Sequence, residues 1–217
     1  MILTVFAGPN GSGKSTIVKD YLKENPMVFV CPDEYVKDYS FIQDKKKRYK
    51  MAMDEAEEDR FTFLNAGAEF SFETVFSRSD KLKFLTDALE NGYYIKVFFI
   101  TTSNPSINIE RIQRRVDSGG HCVKEQDIIQ RYHRSMAMLL DIIDIAHEVS
   151  IYDNSETDGS PALIIFKNQY NDCYFFHNKY NSPVYEELKE RILEKEYLKF
   201  HQLNEEETEV YRSSKYL

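Results

Sequence analysis

Several things are scarce in this 217-residue sequence. Its three cysteines, Cys31, Cys122 and Cys173, are odd in number, far apart and in no C-x-x-C or metal-ligand spacing. A disulfide framework is therefore excluded, and reduced thiols in a cytoplasmic protein are the expectation. No apolar run reaches membrane-spanning length, so no membrane is expected as a partner. No basic segment precedes the apolar Ile2-Leu3-Thr4-Val5-Phe6, so no signal peptide is expected either. Positive charge is in deficit, with 28 Lys and Arg against 36 Asp and Glu and a formal net charge of −8. General nucleic-acid binding needs a basic surface, so nucleic acid is not an expected partner. Internal repeats, long linkers and an LSGGQ-like signature of ABC-type ATPases are also lacking.

What remains is ordinary for a globular chain: 42% apolar and 29% charged residues, enough for one α/β domain with a real core. A single domain over 1–217 is expected. Residues 2–7, 27–31, 69–73, 93–101 and 149–152 read as strands, and 14–23, 44–66 and 79–91 as helices. A helical pattern runs from Pro105 to His147 with a break at Ser118-Gly119-Gly120. Strands alternating with helices imply a parallel sheet with crossover helices, the α/β class. Beyond 155, Ala162–Phe166 and Cys173–Phe176 flank Asn168-Gln169-Tyr170-Asn171-Asp172 and predict a hairpin. A helix over about Pro183–Phe200 and a charged tail would close the chain. The expected fold is thus a P-loop NTPase-like parallel sheet flanked by helices, with a helical lid (about 105–147) and a C-terminal hairpin plus helix (about 160–217).

The strongest motif is Gly8-Pro9-Asn10-Gly11-Ser12-Gly13-Lys14-Ser15, followed by Thr16. It matches G-x-x-x-x-G-K-[ST] and stands between a strand and a helix, the context a phosphate loop requires. Glycines let the backbone curl and point N–H groups inward as an anion nest at a helix N-terminus. Lys14 would reach the β- and γ-phosphates of ATP and the Ser15 hydroxyl would ligate Mg²⁺.

Around that loop, carboxylates and arginines are candidates. The strand at 96–100 ends in Thr101-Thr102, without the acidic residue expected after a Walker B strand. Acids instead end the second and third strands, as Asp33 and Glu73, on the edge of the sheet that carries the loop. Asp33 is placed to accept a proton from an attacking hydroxyl, although a helix N-cap or turn explains it equally on spacing alone. Glu73 could orient an acceptor hydroxyl or hold a magnesium-bound water, or be an exposed strand-end carboxylate. Arg111, Arg114 and Arg115 precede the glycine pair, and Arg131 and Arg134 follow it. Together they read as a lid closing on a triphosphate, where planar guanidinium groups stabilise the migrating phosphoryl. Singly, each reads better as a solvated partner of Asp117, Glu125 or Asp127. Tyr152-Asp153-Asn154-Ser155 fits either an adenine contact or an Asx turn.

The combination of Ala7–Thr16, Pro32-Asp33-Glu34, Ser71-Phe72-Glu73-Thr74, Arg115-Val116 with Gly119-Gly120-His121, Arg131-Tyr132 and Tyr152–Ser155 resembles zeta-toxin family kinases. The resemblance is to their compact bacterial branch, often labelled predicted ABC-type ATPases, and covers residues 1 to about 155. It implies an ATP- and Mg²⁺-dependent cytoplasmic kinase acting on a hydroxyl of a UDP-activated amino sugar such as UDP-N-acetylglucosamine. It further implies that Asp33 is the catalytic base and that Glu73 and Thr74 lie on the acceptor side. Lys14 and Ser15 match the family's nucleotide and magnesium positions, and Arg115 and Arg131 its phosphate-clamping arginines, with Arg134 a near alternative. Toxicity and a protein antitoxin are implied as well; His121 matches without a role. The chain is shorter than the better-known zeta toxins, and much of the elaboration that builds their sugar pocket is missing. Two other readings stay open: a kinase for a polynucleotide 5′-hydroxyl or small metabolite, and a non-catalytic ATP-binding regulator.

Overall fold

The structure, a computed structural model, describes residues 1–117, 123–156, 161–177 and 182–214. The expected break at Gly119-Gly120, together with His121 and Cys122, lies outside the described residues.

Five strands form the parallel part of one sheet: β1 (Ile2–Ala7), β2 (Val28–Val30), β3 (Phe70–Thr74), β4 (Tyr94–Thr101) and β5 (Glu148–Asp153). With β6 (Ala162–Lys167), β7 (Asp172–Phe175) and β8 (Lys199–Gln202) they are ordered β2-β3-β1-β4-β5-β6-β7-β8. The first four neighbour pairs are parallel, β5-β6-β7 are antiparallel, and β7-β8 is parallel again. The α/β class expected from the alternation is what the chain adopts.

Because helices cover both faces, the central strands are apolar on both sides. Leu3, Val5 and Ala7 of β1 join a core completed by α3 (Lys45–Ala66), α4 (Ser79–Glu90), α6 (Glu125–Ile145) and α7 (Pro183–Leu193). Phe6 faces the other way, with Phe98, Ile100 and Tyr152, under α1 (Lys14–Glu24) and α8 (Glu205–Ser214). No helix among the described residues is long and apolar enough to cross a membrane.

The hairpin forms as expected, its turn held by Asn168 Oδ1, which accepts from the backbone N–H groups of Tyr170 and Asp172. The C-terminal helix does not run to Phe200. It stops at Leu193 because the chain turns at Lys195–Leu198 and Lys199 N–H bonds Asn171 O, adding β8 to the open edge of β7. The charged tail is helical in part, since Asn204 and Glu207 close a reciprocal capping box at 2.9 Å each way and start α8. A short helix α2 (Pro32–Tyr35) also follows β2, with proline at its first position, where a missing N–H costs nothing.

The consequence for function is geometric. The carboxyl ends of β1 to β5 share one edge, and the loops leaving β1, β2 and β3 are neighbours there. The helix α5 (Pro105–Asp117) leaves β4 at the same edge.

Candidate active site

The loop between β1 and α1 has the conformation its glycines predict. Gly8 (φ 138°) and Gly13 (φ 94°) are left-handed, and each is also sterically confined. A Cβ on Gly8 would lie 2.0 Å from Ile100 O, and one on Gly13 would lie 2.2 Å from the Asn154 side-chain nitrogen. Lys14 is 6% exposed and its ammonium donates to the carbonyls of Gly8 and Pro9, both at 3.0 Å. Burial lowers its pKa, and the nearby Glu73 carboxylate opposes that shift only in part.

Glu73 sits at the end of β3, in register with Phe6 of β1. Its carboxylate is 3.6 Å from Lys14 Nζ and accepts from the Ser15 hydroxyl at 3.5 Å. Thr74, beside it, is engaged by the backbone instead. Its hydroxyl accepts from Phe76 N–H at 3.2 Å, bracing a tight turn in which the buried Phe76 takes φ 53°. Ser135 of α6 donates to Val75 O at 2.8 Å and ties that turn to the arginine-bearing helix.

Asp33 lies exposed in the first turn of α2, one residue beyond the N1 proline, and Cys31 is the extended N-cap. Burial pushes the Cys31 thiol up to about 12, reinforced by Glu73, which keeps it protonated. Tyr49 of α3 converges on the same place. Its phenol is pushed up to about 12, first by burial and then by Asp33 and Cys31, against the pull of Arg115 and Arg131. Nothing in the sequence singled Tyr49 out, because it stands in the basic run Lys45-Lys46-Lys47-Arg48-Tyr49-Lys50.

The five candidate arginines separate. Arg115 bears on both Lys14 and Tyr49, and the Arg131 guanidinium donates to Asn10 Oδ1 at 3.4 Å. Arg134 is exposed and bends back to Gln130 O on its own helix; Arg114 pairs with Glu110 one turn away. Arg111 donates to Glu156 O at 3.0 Å, beyond the end of β5.

Three further side chains support the loop. Asn154 donates to Ser12 O at 2.8 Å, while Asp153 accepts from Ser155 N–H at 2.9 Å, so both an Asx turn and a loop contact coexist at Tyr152–Ser155. Asn108 of α5 donates to Asn10 O at 2.6 Å and accepts from the Thr102 hydroxyl. Thr102 O in turn accepts from Tyr132 OH at 2.6 Å. The Thr101-Thr102 pair that lacks a Walker B acid is thus committed to packing and to this network.

Could these residues hold a nucleotide and its magnesium ion? The nest of left-handed glycines, the inward ammonium of Lys14 and the fully buried Ser12 hydroxyl, which has no hydrogen-bond partner among the described residues, suit an anion. Among the described residues no three His, Cys, Asp or Glu side chains group as a metal cage. One hydroxyl, Ser15, with one carboxylate, Glu73, is instead the sparse donor set that Mg²⁺ takes when phosphate oxygens supply the rest.

Comparison with known proteins bears on the fold and on the nucleotide. The toxin-antitoxin system PezAT of Streptococcus pneumoniae matches with a TM-score of 0.56 at 16% identity, over 74% of this chain and 70% of that one. The AvrRxo1-ORF1:-ORF2 complex with ATP matches with a TM-score of 0.65 at 14% identity, covering 88% of this chain. This chain spans 63% of that one, less than two thirds. At such identities the likeness is one of fold. An uncharacterized protein of Haemophilus influenzae is 26% identical over 131 residues, 58% of this chain and 89% of its own length. A family model described as an AAA domain matches residues 3–139, the stretch from β1 through most of α6, and the chain belongs to that family of P-loop proteins, in which ATP binding is implied.

Proposed function

We propose that this protein is a Mg-ATP-dependent kinase that transfers the γ-phosphoryl group to a hydroxyl of a UDP-activated amino sugar such as UDP-N-acetylglucosamine. One observation carries the reading: Asp33, Arg115 and Arg131 all bear electrostatically on the Tyr49 phenol, and Arg115 bears on Lys14 as well, so a carboxylate and two guanidinium groups lie within electrostatic reach of the phosphate-loop lysine or its neighbours. A nucleotide switch has little need of that arrangement.

In this reading the loop amides and Lys14 bind the β- and γ-phosphates. When bound through Ser15, with Glu73 behind it, Mg²⁺ would neutralise charge on the β- and γ-oxygens. Asp33 takes the proton of the acceptor hydroxyl as its oxygen bonds the γ-phosphorus and the bond to the β-phosphate oxygen breaks. Arg115 and Arg131 stabilise charge on the equatorial oxygens. Glu73, at 3.6 Å from Lys14, limits how far burial depresses the ammonium's pKa. The exposure of Asp33 fits a base that must meet an incoming substrate. The zeta-toxin-like residue pattern supports the sugar nucleotide, and the PezAT likeness supports a protein antitoxin as partner.

The test is incubation of the purified protein with Mg-ATP and UDP-N-acetylglucosamine, with mass spectrometry of the products. A phosphorylated sugar nucleotide made by the wild type and absent with Asp33→Asn and Lys14→Ala is the expected result. ATP turnover without that product would retain the kinase and reject the sugar. Tight ATP binding with no turnover on any acceptor would leave a regulator.

A further inference from the structure

Asn10 is held at both ends. Its carbonyl accepts from Asn108 Nδ2 at 2.6 Å, and its side-chain oxygen accepts from the Arg131 guanidinium at 3.4 Å. Asn108 is fully buried, and its other amide atom accepts from the Thr102 hydroxyl, also fully buried. Thr102 O accepts from Tyr132 OH at 2.6 Å, and Tyr132 is the residue next to Arg131 on α6. The contacts therefore close a circuit: phosphate loop, α5, end of β4, α6 and back to the phosphate loop. At its fully buried members, Asn108 and Thr102, water cannot replace a lost partner, so the rest of the circuit depends on the bonds these two make.

We propose that Asn108 is a positioning residue that, through Asn10, sets the Arg131 guanidinium at the rim of the phosphate loop before nucleotide arrives. The inference rests on the nucleotide-binding half of the reading above and assigns no role in acceptor choice. Asn108 itself does not reach the reacting atoms. It fixes the backbone of Asn10, and with it the direction in which the Asn10 side chain presents its oxygen to Arg131. An arginine already parked at the loop loses less entropy when it engages a terminal phosphate. That engagement is with the group by which a triphosphate differs from a diphosphate, so the signature is discrimination between the two.

The experiment measures dissociation constants for the β,γ-imido analogue of ATP and for ADP, each with Mg²⁺. It compares wild type, Asn108→Ala, Arg131→Ala and the double variant. Asn108→Ala should reduce the preference for the triphosphate about tenfold, the scale of one charge-assisted contact, and leave ADP affinity within about twofold. In the Arg131→Ala background the same change should cost nothing further. Asn10→Ala, which alters only a half-buried loop side chain, should reproduce the loss without threatening the fold. Equal weakening of both nucleotides, losses that add in the double variant, or an unchanged preference in Asn10→Ala would each overturn the proposal. A wild type that prefers the triphosphate but phosphorylates no acceptor would remove the kinase reading and leave this inference standing. One that binds neither nucleotide would overturn both.

Discussion

The side-chain amide of Asn154 donates a 2.8 Å hydrogen bond to the carbonyl of Ser12, joining the end of β5 to the middle of the phosphate loop. Gly13 passes directly beneath that amide, so close that a methyl group there would sit 2.2 Å from its nitrogen. The loop is therefore shaped from outside as well as by its own glycines.

Gly13→Ala should cost stability twice over, through the collision with Asn154 and through φ 94°, which alanine adopts at an expense on the order of 1–3 kcal/mol. Adding Asn154→Ala should relieve the collision and leave the backbone strain. Thermal unfolding of the single and double variants should accordingly show partial recovery in the double, with nucleotide titrations remaining weak in both.

Glu73→Gln removes the charge facing Lys14 at 3.6 Å and Ser15 at 3.5 Å. With the Glu73 carboxylate neutralised, the Lys14 ammonium should become still easier to deprotonate. The magnesium concentration that half-saturates ATP turnover should rise by about tenfold, as expected for losing a group that orients metal-bound water. A magnesium titration at fixed ATP reads this directly.

The pKa of Lys14 is lowered in the folded protein by burial, so the unfolded chain binds this proton more tightly than the native one. Between the folded-state pKa and the ordinary value of 10.5, stability gained from this group should increase with pH, by at most about 1.4 kcal/mol per unit. Below that window the buried ammonium is a standing cost. Urea unfolding of wild type and Lys14→Met across an alkaline pH series should show the difference moving in favour of wild type as pH rises.

Much of this architecture could be read from the residues alone, for identifiable reasons. Buried parallel strands are short apolar runs, and the glycine-lysine loop carries its own punctuation, so β1 to β5 and the loop were locatable within a residue or two. The C-terminal segment was harder. Whether Lys199–Gln202 continues a helix or pairs as β8 depends on the open edge of β7, which no local pattern contains. The cap of α8 was legible in Asn204 and Glu207 but was hidden by the acids between them. In the site, Asn108 meets Asn10 across 98 residues without any sequence signal, and Asn154 stood in the Tyr152–Ser155 motif but its bond to Ser12 across 142 residues did not show there. Spacing also put Arg134 with Arg131, yet the helix turns its guanidinium back to Gln130.

Asn204→Ala tests the corrected C-terminus. It removes the side-chain acceptor that caps Glu207 N–H and should destabilise the protein by about 1 kcal/mol. Since α8 covers the second core through Tyr211, which packs on Phe166, Tyr174 and Phe176, the loss should appear as a lowered midpoint in one cooperative unfolding transition.

Tyr49→Phe separates acceptor binding from nucleotide binding in the proposed reaction. Three and seven residues on, Ala52 and Ala56 are fully buried, so this face of α3 lies against the body of the protein and carries the phenol toward Asp33. With its pKa pushed up to about 12, the hydroxyl stays protonated at neutral pH and keeps a proton to donate to an acceptor substrate. Deleting it leaves the phosphate loop, Lys14 and Ser15 untouched. The KM for the acceptor should therefore rise about tenfold, the worth of a hydrogen bond to a charged or polar partner, while ATP affinity stays unchanged. Steady-state kinetics with each substrate varied in turn distinguish this from a general loss of structure, which would weaken both. An unchanged acceptor KM would remove Tyr49 from the acceptor side and leave its phenol a packing element of α3.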